Sequence, residues 1–467
     1  MHTMLSRLAS LITVAVLWLP LGEAQAVPSF ARQTGMDCTT CHMSWLELTS
    51  VGRRFKLGGY QLMKAMEEDA KRPVVTLQFD DNPPLIPLAG MIQASDTHTA
   101  NTSTAGTEPA ADFPKNNTVL LQQFSLFLNG KLADRVGCFC QWTYDDAARH
   151  SSVDNVEVRF ADEYKGDSVQ ALYGLSLNNS PTMSDIYNTT PVWGWPYAGS
   201  TVAPAPAASA LINGGLAQQV VGLSAYALVN RNVYAEFGGY RTADGIFSIM
   251  RAGVPREDRS TLDGMAPYYR FALQGDWDKG RQSAMAGLFG LTAKKYPDAA
   301  NPVGPSDTFA DTGIDAQYQY ITDAHRFSAM ATYIRERQTL NGSFANAASS
   351  HVGNILKQAN VKASYYYDKW YGISVGYQRT GGSSDTLLYD TGSPLSGSVN
   401  ASPGSAARIV ELNWLFSLSG AETHRTNRFV AQYTSYSKFN GGTSNYDGFG
   451  RNARDNNTLY LLGWFMY

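Results

Sequence analysis

From about residue 85 to its end the chain alternates apolar and polar positions in segments of roughly ten to fourteen residues, rich in Tyr, Phe and Val and separated by turn residues. A period of two belongs to a β-strand whose two faces meet different surroundings. Segments near 86–98, 119–132, 136–146, 153–164, 168–178, 216–229, 232–241 and 267–277 predict eight strands. Those near 281–293, 311–322, 325–337, 354–367, 370–380, 407–418, 425–437 and 456–467 predict eight more. An even count of alternating segments is the signature of a bacterial transmembrane β-barrel.

The connections carry more weight than the strands. Short turns such as Asn230-Arg231, Asp278-Lys279-Gly280, Thr322-Asp323-Ala324 and Asp368-Lys369 interleave with long polar stretches at 99–118, 179–215 and 381–406. Outer-membrane barrels have this asymmetry, with short periplasmic turns and long external loops. The first strand then runs outward and the last returns, placing the segment before residue 85 and Tyr467 on the periplasmic side.

The two faces differ in kind. Val156, Val158 and Phe160 alternate with Glu157, Arg159 and Glu163, and Tyr269, Phe271 and Leu273 with Arg270, Gln274 and Asp276. One face suits lipid and the other a polar lumen, although a soluble β-sandwich would alternate too. Glu157, Arg159, Glu163, Glu236, Arg270, Asp276 and Asp315 are expected on the lumen face. There they form a hydrogen-bonded filling or, alternatively, tune a bound haem or hold a cation transiently. The last strand closes on Gly463-Trp464-Phe465-Met466-Tyr467, an aromatic ending common among outer-membrane proteins.

The first 84 residues do not alternate. His2 and Arg7, an apolar stretch Leu8–Leu21 and the small-x-small site Ala24-Gln25-Ala26 read as a secretory signal over 1–26. A retained anchor helix is the alternative, and Pro20 and Gly22 make that stretch short. Residues 27–84 form a second unit, in which Leu46 to Met66 predicts one or two short helices interrupted by Gly58-Gly59. Pro73, Pro83 and Pro84 mark its exit toward the barrel at 85–467.

Composition narrows the class. Of 467 residues 16% are charged and 12% aromatic, with 26 Tyr, 20 Phe, 9 Trp and 42 Gly. So many aromatic side chains exclude disorder, and a net charge of -3 supplies no cationic excess for nucleic acid. No apolar run of 18 or more residues follows the N-terminus, so a membrane would be crossed by strands, not helices.

Chemistry concentrates in Cys38-Thr39-Thr40-Cys41-His42, the c-type haem attachment pattern. Two thiols three positions apart can each form a thioether to the porphyrin, and the adjacent histidine is then held under the iron as axial ligand. A zinc ribbon would need a second C-x-x-C, and a redox dithiol a preceding strand; the chain has neither. One haem c, held by Cys38, Cys41 and His42, is therefore the expected cofactor. By type, Met36, Met43, Met63, Met66 and His98 are candidates for the sixth ligand. Met43 adjoins His42 too closely, and Met63 or Met66 is the better placed, with simple packing as the alternative. Cys138 and Cys140 lack a following histidine and read as packing residues on one strand face. His150, His325, His351 and His424 have no metal-ligand spacing and receive no role.

The stretch Val27 to Gly35 (VPSFARQTG), the motif Cys38 to His42, and then Leu48, Thr49, Gly52, Arg53, Phe55, Lys56 and Leu57 together resemble the fused cytochrome-porins of the outer membrane, of the iron-oxidising type. The resemblance is close over residues 27–62 and architectural beyond. It implies a mainly β fold, a 16-stranded transmembrane barrel with a small α-helical c-type cytochrome domain plugging the lumen. It also implies electron transfer from an extracellular donor, Fe(II), through one haem to a periplasmic electron-carrier cytochrome, which would make the chain a one-electron oxidoreductase. One haem cannot bridge an apolar band about 25 Å tall, so a donor is expected to approach its edge through the external mouth. The alternative is a porin whose haem domain serves as a plug or redox-sensitive gate for solutes. A soluble periplasmic cytochrome with a β-rich domain fits the loop lengths least.

Overall fold

The alternation resolves into strands that pair in chain order around a closed ring. A computed structural model describes residues 28–34, 36–44, 46–63, 87–101, 116–146, 148–255, 259–417 and 427–466. The expected signal over 1–26, Met66 and the linker to residue 84 lie outside the described residues. The strands are β1 Leu88–Thr99, β2 Thr118–Ala133, β3 Val136–Asp145, β4 His150–Lys165, β5 Gln170–Asn178, β6 Val220–Val229, β7 Val233–Thr242 and β8 Ala266–Trp277. They continue with β9 Gln282–Lys295, β10 Asp307–Ile321, β11 His325–Thr339, β12 Gly353–Tyr367, β13 Tyr371–Gly382, β14 Ser405–Phe416, β15 Asn427–Lys438 and β16 Thr458–Met466. Each pairs antiparallel with its chain neighbours, and β1 closes on β16 with Met91 opposite Met466 and Thr99 opposite Thr458. The result is a 16-stranded, porin-like barrel, and every expected strand is present to within four residues at its ends.

The turns explain the pairing register. In Asn230-Arg231, Asp278-Lys279 and Asp368-Lys369 both residues have positive φ, as the two central residues of a type I′ turn do, and each turn lies in a connection of three or four residues, with Val229 opposite Val233, Trp277 opposite Gln282 and Tyr367 opposite Tyr371. The opposite ends carry the long connections, except that β3 and β4 are joined by residues 146–149 alone.

Along β11, Phe327, Ala329, Ala331 and Tyr333 face outward, while Arg326, Ser328, Met330 and Ile334 are buried inside. Around the ring the outer face exposes Phe237, Leu273, Ile314, Ile373, Leu412 and Trp414, an apolar belt of the kind that lipid covers. Cys138 and Cys140 lie on β3 opposite Gly130 and Leu128, and both are free thiols.

The largest departure from expectation is the stretch 179–215, expected as an external loop. It turns inward instead, and residues 178–190 are buried throughout. A loop inside a barrel must satisfy its own backbone, and Asp185 does much of this. Its carboxylate accepts from the amides of Tyr187, Thr189 and Thr190 at 3.1, 3.1 and 3.2 Å. The same carboxylate is 3.1 Å from Arg270 on β8, which also lies 2.7 Å from Asp315 on β10. Farther along, the amides of Leu211 and Ile212 donate to Glu336 and Asp311 on the wall. There Leu211, Ile212 and Leu216 pack against Tyr240, Tyr268, Phe289 and Ile334.

The expected lumen residues are thus tied into a filling network. Glu157 pairs with Arg159 at 3.0 Å, and Glu236 accepts from Ser224 and Tyr234 at 2.5 and 2.9 Å. Glu163 and Asp276 are less buried and sit toward the short-turn end.

Removing one partner of a buried ion pair leaves a charge without compensation, at a cost of about 3–5 kcal/mol. Arg270→Ala strands Asp185 and Asp315, and urea unfolding of the barrel in micelles should show a loss of that order. Arg135→Ala, which breaks an exposed pair with Asp162, should change stability by less than about 1 kcal/mol.

Candidate functional site

The motif is built as a tight reversal. Cys38–Cys41 form one helical turn, and the His42 amide donates to the Cys38 carbonyl at 2.8 Å. The chain then folds back through a bridge between His42 and Leu48, with Met43 N to Glu47 O at 2.8 Å. Thr49 fastens the reversal: its amide donates to Cys41 O at 2.9 Å and its hydroxyl to Thr40 O at 2.7 Å. That hydroxyl also caps the helix Ser50–Leu57 by accepting from the Gly52 amide, a threonine N-cap. A Cβ on Gly52 would stand 2.2 Å from the Cys41 carbonyl oxygen, so only glycine lets helix and motif approach this closely.

The helix Pro28–Thr34, the motif and the helix Ser50–Leu57 lie inside the wall at the short-turn end. Arg53 reaches Gln317 and, at 2.8 Å, Gln319 on β10. Arg326 on β11 donates to the carbonyls of His42 and Met43 at 2.9 and 3.1 Å. Lys362 on β12 pairs with buried Glu47, and Tyr60 donates to Glu157 on β4. At Gly137 on β3 an added Cβ would stand 1.9 Å from the Gly59 carbonyl oxygen, so this wall contact too admits only glycine.

These elements line a partly open, mainly apolar cavity bounded by Cys38, Cys41 and His42 together with Phe30, Met36, Leu46, Phe55, Tyr60 and Phe139. The inward loop supplies the remaining side through Asp185, Asn188 and Trp193. Lys56 donates to the carbonyls of Met183 and Asp185 at 2.8 and 2.7 Å and stands 4.6 Å from the Trp193 ring centre. Helix and loop are thereby held together above the motif.

Burial sets the electrostatics. It pulls His42 down to about 4, so its ring is neutral at pH 7, the form that ligates a metal. It pushes the Cys41 thiol up to about 12, with Cys38 adding to the rise. Lys56 falls to about 8 through burial, opposed by Glu157. The His42 Nδ1 atom is buried without a hydrogen-bond partner among the described residues.

The residues present fit a haem. The cavity lining is mainly apolar with a few convergent polar groups, and neither Cys38 nor Cys41 is in a disulfide. Of the candidate sixth ligands, Met36 lines the cavity. Met63 does not: it packs against Phe55 and Tyr60 in the cluster beside it. Met43 is buried in a separate cleft with Arg326, and His98 lies on β1 toward the long connections, 3.3 Å from Asn117. Among the described residues no three His, Cys, Asp or Glu side chains gather as a metal site.

Sequence reasoning located the two cysteines and His42 but missed the groups that fix them, Glu47, Arg326 and Lys362, and the loop that covers them. One signal was available: 187–197 holds Tyr187, Trp193, Trp195 and Tyr197, more aromatic surface than a solvated loop keeps exposed. The cover has a geometric consequence. From Arg326, level with the motif, to Thr339 at the long-connection end, β11 rises thirteen residues, roughly 30 Å along a tilted strand. The motif is thus remote from the mouth through which a donor was expected to approach.

No protein-family model matches the chain, and no curated protein matches it. Solved barrels do: Salmonella typhi OmpF in complex with daunomycin, at 12% identity over 81% of this chain and 97% of that one, has a TM-score of 0.45. The outer-membrane channel DcaP of Acinetobacter baumannii, at 12% over 81% and 96%, gives 0.43. An anion-selective porin from Comamonas acidovorans, at 12% over 81% and 98%, gives 0.40. Identity and overlap at this level say nothing of substrate or cofactor.

Gly52→Ala forces the Cys41 carbonyl and the helix apart. The expected cost is about 1–3 kcal/mol, read as faster trypsin cleavage at Arg53 and Arg54, by about tenfold for each 1.4 kcal/mol of local opening.

Proposed function

We propose that this chain is an outer-membrane barrel of porin type whose lumen is closed by its own N-terminal segment, which attaches one c-type haem and serves as a plug or redox-sensitive gate. The observation that carries this reading is the convergence of Cys38, Cys41 and His42 on one apolar cavity inside the wall, roofed by the inward loop. Cys38 and Cys41 would carry the thioether bonds and His42 the axial position. When bound, a c-type haem supplies a one-electron redox centre.

The remaining residues position and seal. Arg326 fixes the carbonyls of His42 and Met43 and so anchors the backbone that carries the histidine. Phe30, Phe55, Tyr60, Phe139 and Trp193 form a continuous aromatic lining that excludes water. Lys56, bridging helix and loop, is the point at which a change of charge in the cavity reaches the loop. Motion of 179–219 relative to the wall would then change what the lumen admits.

A second reading makes the chain a one-electron oxidoreductase between an extracellular donor, Fe(II), and a periplasmic cytochrome. The resemblance of residues 27–62 to the fused cytochrome-porins favours it. So does the place of the motif at the short-turn end, where a periplasmic carrier would dock. The long path from the external mouth weighs against direct contact between Fe(II) and the cavity.

Two measurements test these readings. Full-length protein run on a denaturing gel should keep haem peroxidase stain with its band, and Cys38→Ser/Cys41→Ser should lose it. In planar bilayers the gate reading expects low conductance that steps when dithionite is added, with no step in the double variant. The electron-relay reading expects conductance to stay low in both redox states and Fe(II) to reduce the haem absorbance rapidly. Open-pore conductance in the untreated full-length protein contradicts both.

A further inference from the structure

Five cations on the outer wall have no counterpart among the described residues. Arg335 and Arg337 on β11, Lys357 on β12, Arg379 on β13 and Arg408 on β14 are exposed and point away from the lumen. They occupy four adjacent strands of the sixteen. Each lies within four residues of the strand end that meets a long connection, 340–352 or 383–404.

The register brings them together. Arg335 stands directly opposite Lys357, Arg379 is opposite Ala359 two positions from Lys357, and Arg408 is opposite Tyr377 two positions from Arg379. Direct cross-strand neighbours have Cβ atoms about 5 Å apart and diagonal ones about 7–8 Å, so these long side chains can converge on one polyanionic group. Carboxylates do not answer them. Asp307, Asp311 and Asp315 on β10, Glu336 on β11 and Glu411 on β14 are all buried on the lumen side. Among the described residues none of the five cations has an ion pair or a side-chain hydrogen bond. Exposed arginines elsewhere do have partners: Arg135 with Asp162, Arg241 with Asp244 and Arg281 with Asp278, at 2.7, 2.6 and 2.6 Å.

Like charges set directly opposite one another on a strand pair repel, and cations on a lipid-facing wall are disfavoured toward its middle. Their depth explains how these are tolerated. The next outward residues toward the middle are Tyr333 and then Ala331 on β11, and Tyr377 and then Val375 on β13; Lys357 is followed by Ala359 and Val361, and Arg408, beside Tyr377, by Val410. Aromatic residues mark the edge of the apolar band in such barrels, so the cations stand at headgroup depth, on the side of the long connections.

We propose that this patch binds the phosphate groups of an outer-leaflet glycolipid. A phosphate monoester offers several acceptor oxygens, and arginine binds such groups in a bidentate fork. Arg335 and Lys357 would share one phosphate, with Arg379 and Arg408 reaching a second. The inference rests on the barrel spanning the outer membrane and is independent of the haem.

The test uses full-length protein in micelles and native mass spectrometry, with bisphosphorylated lipid A as the probe. Wild-type protein should retain the lipid, and Arg335→Gln/Lys357→Gln/Arg379→Gln should weaken binding by at least about tenfold. Fully dephosphorylated lipid A should bind both proteins equally weakly. The substitutions face away from the lumen, so the heat-dependent gel shift of the folded barrel should be unchanged; Arg379→Gln alone, with a smaller loss, serves should the triple variant misfold. Equal affinity of variant and wild type would overturn the proposal, as would equal affinity for both lipids. Displacement of the lipid by an equal concentration of inorganic phosphate would also overturn it, by assigning the patch to the free anion.

Discussion

A β-sheet with one apolar and one polar face cannot leave an edge in lipid, because each unpaired backbone group there costs several kcal/mol. Closure of β1 on β16 removes that edge, and the rest of the structure follows from it. Once the ring is also filled, by the loop 179–219 and the N-terminal helices, the charged inward residues they cover are taken from bulk water, and each must find a partner inside the lumen. Arg159, Arg270, Glu157 and Glu236 are fully buried, which is sustainable only because the loop 179–219 and the N-terminal helices bring backbone carbonyls, amides and counter-charges to them. The filling and the wall therefore depend on each other: the loop amides of Leu211 and Ile212 are satisfied by Glu336 and Asp311 of the wall, and Arg270 of the wall is paired by the loop's Asp185.

This mutual dependence shapes what the molecule can do. A porin passes solutes because water occupies its lumen, whereas here the interior at the level of β8 and β10 is occupied by Tyr187, Asp185 and Thr189. The N-terminal segment lies below them, bound through Arg53, Lys362 and Arg326 to three successive strands, β10, β12 and β11. A redox group in the cavity would sit among fixed dipoles and little water, with the periplasmic side nearer than the external mouth. Any passage through the barrel must then begin with movement of the loop, not of the wall.

How much was legible in the sequence follows from what each element depends on locally. The strands were readable because their faces meet different media, which writes period two into the chain, and the short turns because paired positive φ angles select residues such as Asn230 and Asp278. Cys38, Cys41 and His42 were readable because attachment chemistry demands a fixed spacing. Polar residues such as Glu157 and Arg270 were placed on the correct face, but alternation cannot say whether a lumen is wet or filled. The inward course of 179–215 was not legible by length, since a long polar connection is ordinarily solvated; its aromatic content was the overlooked sign. Partners such as Glu47 and Lys362 are 315 residues apart, and no local pattern links them. Distance along the chain points to Met63, yet Met63, beyond the Gly58-Gly59 turn that ends the helix Ser50–Leu57, packs against Phe55 and Tyr60, and Met36 lines the cavity.

The central claim is that the N-terminal segment and the inward loop together form a fixed filling of the barrel. Amide hydrogen exchange on the full-length protein in lipid nanodiscs tests it most directly, comparing residues 50–57 and 183–190 with the strands β8 to β12. Protection in both segments approaching that of the strands is the predicted result. Exchange at the rate of an exposed loop in either segment would contradict it, and would mean that the lumen is open and the buried charges are met by water.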